Sequence, residues 1–316
     1  MRKLEARVQK CYEGAPFPDN LRKAKNFNAE LQRNIDWVAL NLKFLSESLI
    51  RSKPRTILCA GCGTGEEALS LAKIFPKSKI NAIDISSTSL AIAKKNARKA
   101  KVNNISFQKI SIIDGLPRIK GKYDLVFSLG VVHHLSDPRL GFKILRSKVE
   151  KRGSLVVMLY NSYGLFFYRC QLWFLNLIAK ASVKRRLAFV KLLKLGKGRS
   201  KAYIYDTYIN PQVTTLTINT VRQWGEEENL EVVGIVPPLN ISRLIEYGTE
   251  GKRYYFRRKG VMSFAFAVSK IISKVLPNKR GGKNSGRLRM FCYQLLFLIL
   301  GRGECQYLFK ARSVDP

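Results

Sequence analysis

The chain has 316 residues and 46% apolar side chains, enough for one large domain with additions and too apolar for a disordered protein. Its formal net charge of +35 is unevenly placed: Lys151 to Tyr205 and Gly251 to Gly303 contain no Asp or Glu, while acids collect in the first half and at Glu226-Glu227-Glu228. This asymmetry points to an anionic partner surface, either lipid headgroups or nucleic acid, and no uninterrupted apolar run reaches the length of a membrane span.

The start, Met1-Arg2-Lys3-Leu4-Glu5, is charged and lacks an apolar signal core, which predicts a reducing, cytoplasmic location. Residues 1–50 read as a mostly helical cap with a turn at Gly14-Ala15-Pro16-Phe17-Pro18. From Thr56 strands and helices alternate. Strands are predicted at Thr56–Cys59, Lys79–Ile83, Ile105–Lys109, Tyr123–Ser128 and Ser154–Leu159, with helices at Ser87–Ala100 and Pro138–Val149 and a turn at Gly153-Ser154. Such alternation implies a parallel sheet with helices on both faces.

Residues 161–210 read as a basic, aromatic insertion. It has helix-like segments at Tyr163–Ala181 and Leu187–Leu195, a Lys184-Arg185-Arg186 cluster between them, and a loop at Asp206–Pro211. Residues 211–316 complete the sheet: a helix at Thr217–Asn229, strands at Glu231–Val236 and Glu304–Arg312, and basic apolar helices at Val261–Leu276 and Leu288–Leu300 around a Lys/Gly/Asn-rich loop.

The most informative run is Cys59-Ala60-Gly61-Cys62-Gly63-Thr64-Gly65-Glu66-Glu67, placed between the first strand and a helix. Glycines there let the backbone turn tightly and approach a ligand, and the helix N-terminus behind offers free N–H groups. The G-x-G-x-G spacing differs from the dinucleotide pattern G-x-G-x-x-G, because Glu66 stands where the third glycine would be. Cys59 and Cys62 have a zinc or redox spacing, but no second C-x-x-C and no paired His cluster accompanies them, so no metal site is predicted.

Asp84 ends the second strand 19 positions after Gly65, where a carboxylate can accept ribose hydroxyls; a helix N-cap is the plainer alternative. Asp114-Gly115 ends the third strand region, suited to an adenine amino group or to a simple turn. Leu129 through Pro138 follow the fourth strand and hold His133 and His134, the only histidines. One of them can act as a general base, or it can pack beneath the site.

Taken together over residues 50–160, the glycine loop, Asp84, Asp114, Val132-His133-His134-Leu135-x-Asp137-Pro138 and Gly153 resemble a class I S-adenosylmethionine (SAM) methyltransferase. The resemblance implies a doubly wound, Rossmann-like α/β fold with a seven-stranded sheet, mostly parallel with an antiparallel last strand, and helical additions. It implies SAM as cofactor, held by Ala60, Gly61, Cys62, Gly63 and Gly65, by Asp84, Ile85 and Ser86, by Asp114 and Gly115, and by Leu129. Cys59 departs from the family's acidic residue, a role that Glu66 or a backbone carbonyl would take over. Elements similar to one bacterial subgroup add Tyr12, Asn161, Asp206, Tyr208 and Asn210 as pocket residues, with Tyr160 joining His133 and His134 as catalytic candidates.

The expected acceptor is a small or lipid-like molecule, with peripheral contact to an anionic membrane at the inner face. An RNA methyltransferase is the alternative, although no Asn/Asp-Pro-Pro-Tyr motif follows the fourth strand. A catalytically silent, membrane-associated binding protein of the same fold is another.

Overall fold

The side chains of Thr56–Ala60 are apolar on both sides of the strand, and Ile57, Leu58 and Ala60 are fully buried. A strand covered on both faces belongs inside a sheet flanked by two layers. The computed structural model describes residues 2–179, 182–238, 241–250 and 303–312, and it places this strand inside a seven-stranded sheet. The strands are β1 (Thr56–Ala60), β2 (Lys79–Asp84), β3 (Ile105–Lys109), β4 (Tyr123–Leu129), β5 (Val149–Tyr160), β6 (Leu230–Val236) and β7 (Glu304–Ala311). Their order is β3-β2-β1-β4-β5-β7-β6. Neighbours from β3 through β5 run parallel, and β7 runs antiparallel to both β5 and β6. The order reverses between β1 and β4, which opens a crevice at the C-terminal strand ends.

Alternate residues of each strand feed opposite layers. Leu58, Ala60, Val126, Leu155, Val157 and Phe309 face one side, with Phe142 and Leu145 of α7 (Pro138–Ser147) and Ile218 and Val221 of α11 (Ile218–Glu227). Ile57, Cys59, Leu125, Phe127, Val156 and Leu308 face the other side. There they meet α3 (Phe27–Leu45) through Val38, Leu42 and Leu45, and α5 (Glu66–Ile74) through Ala68, Leu71 and Ala72. α3 comes so close to β6 that a Cβ on Gly234 would lie 2.0 Å from the Leu45 carbonyl oxygen.

Local signals set the helix starts. Ser86 caps α6 (Ser87–Lys99) by accepting from Ser89 N–H, and Asp137 caps α7 by accepting from Leu140 N–H, with Pro138 at the first helical position. Two expectations change here. The helix before β5 stops at Ser147, and Val149 already pairs with Tyr123. Gly153 is then no turn before the strand. It lies within β5 near a register shift, where a Cβ would meet the Tyr123 and Asp124 carbonyls.

The N-terminal cap consists of α1 (Arg2–Gly14), α2 (Asn20–Lys23), α3 and α4 (Glu47–Arg51). The insertion folds as α8 (Phe166–Ala179), α9 (Val183–Leu192) and α10 (Lys201–Ile204), and α12 (Ile241–Glu250) follows β6. Lys184-Arg185-Arg186 lies inside α9 rather than before it, because Ser182 caps that helix at Arg185 N–H. Tyr205–Ile209 is a turn of π-helix closed by Asn210 N–H on the Tyr205 carbonyl, where a loop was expected. Such a turn has no periodic pattern to betray it. Leu175, Val190, Tyr208 and Ile209 give the insertion a small core of its own. The expected helices at Val261–Leu276 and Leu288–Leu300, with the loop between them, lie outside the described residues.

Two carboxylates fasten the cap to the sheet layer. Buried Glu66, at the start of α5, accepts from Leu21 N–H (2.9 Å), Asn20 Nδ2 (3.0 Å) and Asn34 Nδ2 (3.0 Å). Replacing it with alanine strands these donors. Glu66→Ala is therefore expected to cost about 3 kcal/mol, read as a lower urea midpoint.

Glu13, at the end of α1, caps α6 by accepting from Ser87 N–H (2.7 Å) and Thr88 N–H (2.9 Å). Burial works to raise its pKa, but the bonds from Thr88 and Ser87 prevail and lower it from 4.5 to about 2. A depressed carboxylate stabilises the fold above its unfolded pKa and loses that contribution as pH falls through the folded value. Glu13→Gln is accordingly expected to be less stable than the parent near neutrality. The gap should close between pH 4.5 and about 2 in denaturation curves taken across that range.

Candidate functional site

The reversal between β1 and β4 opens onto a cleft of about 850 Å3, part of it open to solvent. Its floor is the glycine loop. Gly61 and Gly63 have φ of +75° and +51°, and a Cβ on either would lie 2.3 Å from Val131 or from the Phe17 carbonyl oxygen. Only glycine fits such positions, since both the conformation and the space forbid a side chain. The loop is pinned from two sides: Gly61 and Cys62 N–H groups bond the Ile83 carbonyl, and Gly63 N–H bonds Asp84 Oδ2 (2.8 Å).

Asp84 Oδ1 accepts from Ser86 N–H (2.8 Å), so this carboxylate braces the loop and still lines the cleft. Burial raises its pKa, while the amides of Ser86 and Gly63 work to lower it. Among the other expected cofactor residues, Gly61, Gly63, Ile85 and Leu129 line the cleft. Ala60, Cys62, Gly65 and Ser86 are buried beside it and shape the loop. Asp114 is exposed, its N–H held by Ser111 Oγ, and Ile110 and Ile112 form that wall of the cleft instead.

Glu66 points away from the cleft, to Asn20, Leu21 and Asn34, and Glu67 lines it. Burial, and then the charge of Glu66, raise the Glu67 pKa to about 7. Burial also holds the thiols of Cys59 and Cys62 neutral, well above their ordinary value. All the described cysteines are unpaired, and among the described residues no group of three or more His, Cys, Asp or Glu could hold a metal ion.

The roof comes from α1, whose Glu5, Val8 and Tyr12 line the cleft, and from the segment after β4, which brings His134 and Leu135. Glu5, Val8 and Tyr12 share one helix face by their spacing, a signal that the sequence carried. His134 Nδ1 lies 2.7 Å from the Gln212 carbonyl oxygen, which can only accept, and 3.1 Å from the Asn210 side-chain nitrogen, which can only donate. Nε2 then faces Asp206 Oδ1 at 3.6 Å. Tyr12 donates to Asp206 Oδ1 (2.7 Å) and accepts from Asn210 Nδ2 (3.0 Å). Burial first, and then Asp206, keep the Tyr12 phenol protonated. The fold thus joins Tyr12, His134, Asp206 and Asn210 in one buried network, although 194 residues separate Tyr12 from Asp206.

The other candidates are not among the residues that line the cleft. His133 is fully buried and stacks on Tyr160, with ring centroids 3.8 Å apart. Burial, and next the neighbouring His134, push its pKa well below the ordinary value. Asn161 Oδ1 accepts from Tyr163 and Gly164 N–H and shapes the turn into α8. Tyr208 belongs to the core of the insertion and faces Gln171.

Residues 52–197 match a methyltransferase-domain family. An uncharacterized protein of Synechococcus sp. is 30% identical over 206 residues, 58% of this chain and 48% of that protein. A malonyl-[acyl-carrier protein] O-methyltransferase of Bacillus cereus is 29% identical over 39% of this chain and 43% of its own length. The chain therefore spans less than half the length of these two curated relatives. Among solved structures, PKMT2 from Rickettsia typhi in complex with AdoHcy superposes with a TM-score of 0.55 at 16% identity, over 90% of this chain and 53% of that chain. That likeness extends to the fold. The family match and the fold agree: residues 52–197 match a methyltransferase domain, and they supply five of the seven strands of a Rossmann-like sheet.

Proposed function

We propose that the protein binds SAM in the cleft above the glycine loop and transfers its methyl group to an oxygen of a small or lipid-like acceptor. The charge of the cleft carries this reading. In a chain of net charge +35, the lining includes Glu5, Glu67 and Asp84, and among the described residues no Lys or Arg. A cleft so unlike its surroundings suits a cationic ligand. The glycine backbone fits a ligand that must approach closely, and Asp84 keeps lone pairs free for ribose hydroxyls after its two backbone bonds. The adenine end fits against Ile110 and Ile112.

SAM supplies a methyl group on sulfonium whose leaving group is a neutral thioether. The protein's task is then alignment and exclusion of water, more than acid catalysis. An oxygen acceptor must still lose a proton. The His134 ring is suited to take it, since the resulting imidazolium is held between Asp206 and the Gln212 carbonyl. Tyr12 and Asn210 hold Asp206 in place. The O-methyltransferases among the relatives support an oxygen acceptor. The acid-free stretch from Lys151 to Tyr205 supports a cytoplasmic enzyme working at an anionic membrane surface. Among the described residues no helix is long and apolar enough to cross a membrane.

Calorimetry with SAM tests the cofactor assignment: Asp84→Ala is expected to weaken binding by roughly 100-fold or more through lost hydrogen bonds and a loosened loop. Unchanged affinity would overturn it. Since Glu67 titrates near 7 and its ionised form attracts a cation, SAM affinity is expected to rise from about pH 6 to about pH 8. Glu67→Gln should flatten that rise. Labelled SAM incubated with a total cell extract, then separated into lipid, RNA and small-molecule fractions, identifies the acceptor. His134→Gln is expected to slow the labelling by roughly 100-fold with SAM affinity retained. Label confined to RNA would refute the proposed acceptor class.

A further inference from the structure

α8 is apolar on two opposite sides. Tyr168, Leu172, Leu175 and Ile178 pack inward on α9 and on the π-helical turn. At about 3.6 residues per turn, Phe166, Trp173 and Leu177 fall on the opposite side, with Phe167 and Phe174 along one margin. All five are exposed, Phe167 by 67% and Trp173 by 68%. The inward stripe already supplies the packing of the helix, so these aromatic side chains are not needed by the insertion's own core.

The charge carried by α8 and α9 is of one sign. No acid occurs from Lys151 to Tyr205, and Arg169, Lys184, Arg185, Lys191 and Lys194 are exposed on α8, on α9 and just after it. From this geometry we infer that the outer face of α8 docks on an anionic lipid surface. Its aromatic side chains enter the headgroup boundary, and the basic side chains of α8 and α9 meet the phosphates. Tryptophan suits that boundary, with an apolar ring and a wet N–H, and phenylalanine adds apolar area beside the flanking cations. A nucleic acid fits less well, because aliphatic Leu177 shares the stripe and offers no stacking face.

The same small core that carries α8 also holds Tyr208 and Ile209, in one π-helical turn with Asp206, which accepts from Tyr12 of the cleft. A docked α8 therefore sets the acceptor end of the cleft close to the lipid surface, a consequence that rests on the methyltransferase reading, whereas the docking itself does not.

The test is co-sedimentation of the full chain with vesicles of phosphatidylcholine alone, or mixed with phosphatidylglycerol. Binding to the mixed vesicles, released by salt and weak on phosphatidylcholine alone, is expected. Trp173→Ser and Phe167→Ser should each weaken it roughly tenfold. Both positions are exposed, and an unchanged circular dichroism spectrum checks that the variants fold. The double variant Lys184→Glu/Arg185→Glu leaves the apolar face intact and should remove the preference for phosphatidylglycerol.

Three outcomes would overturn the inference: a wild-type chain that stays in the supernatant, a Trp173→Ser variant that binds like the parent, or a wild-type dimer that Trp173→Ser makes monomeric. Failure of the methyltransferase reading is separate, seen as absent SAM binding in calorimetry while vesicle binding persists.

Discussion

Much of the site depends on how closely backbone can approach Gly63. Its N–H is held by Asp84 from one side, and the Phe17 carbonyl sits where a side chain would otherwise project. That contact brings the strand end, the glycine loop and the N-terminal cap to one point. The neighbouring Thr64 hydroxyl adds a bond to the Pro18 carbonyl (2.6 Å), so the cap rests on the loop through backbone groups. α1 can then lie across the strand ends and supply Glu5, Val8 and Tyr12 as a roof. Two carboxylates, Glu13 of α1 bonded to α6 and Glu66 of α5 bonded to α2 and α3, keep it in register.

The electrostatics of the cleft run against those of the chain. A strongly basic protein gathers Glu5, Glu67 and Asp84 around one cavity, and burial leaves Glu67 titrating near neutrality. Glu66 and Glu67 are adjacent in sequence and do opposite work. On a helix, successive residues point about 100° apart. One carboxylate therefore reaches the cap and the other reaches the cleft. The helix that follows the loop thus brings a carboxylate to the cleft, while Cys59 on the strand carries none.

The insertion solves a different problem. Residues 161–210 pack a small core from α8, α9 and the π-helical turn, and this core positions Asp206 and Asn210 against Tyr12 and His134. A π-helical turn widens the helix by one residue and changes the direction of the side chains that follow. Asp206, within it, and Asn210, just past its end, are four residues apart and converge on one phenol.

The order of strands and helices, the glycine loop, Asp84 at its strand end and the charged, aromatic character of residues 161–210 were legible in the sequence. Each is a local property: apolar periodicity, a spacing of glycines, a composition. Tyr12, Asp206 and Asn210 were named from resemblance, yet their meeting with His134 follows from no local rule. The destinations of Glu66 and Glu67, the exposure of Asp114, the burial of His133 under Tyr160, the placing of Tyr208 in the insertion's core and the π-helical turn were decided by tertiary structure. Which of two neighbouring side chains enters a cavity depends on helix rotation and on the surfaces packed around it, and these are fixed only when distant segments come together.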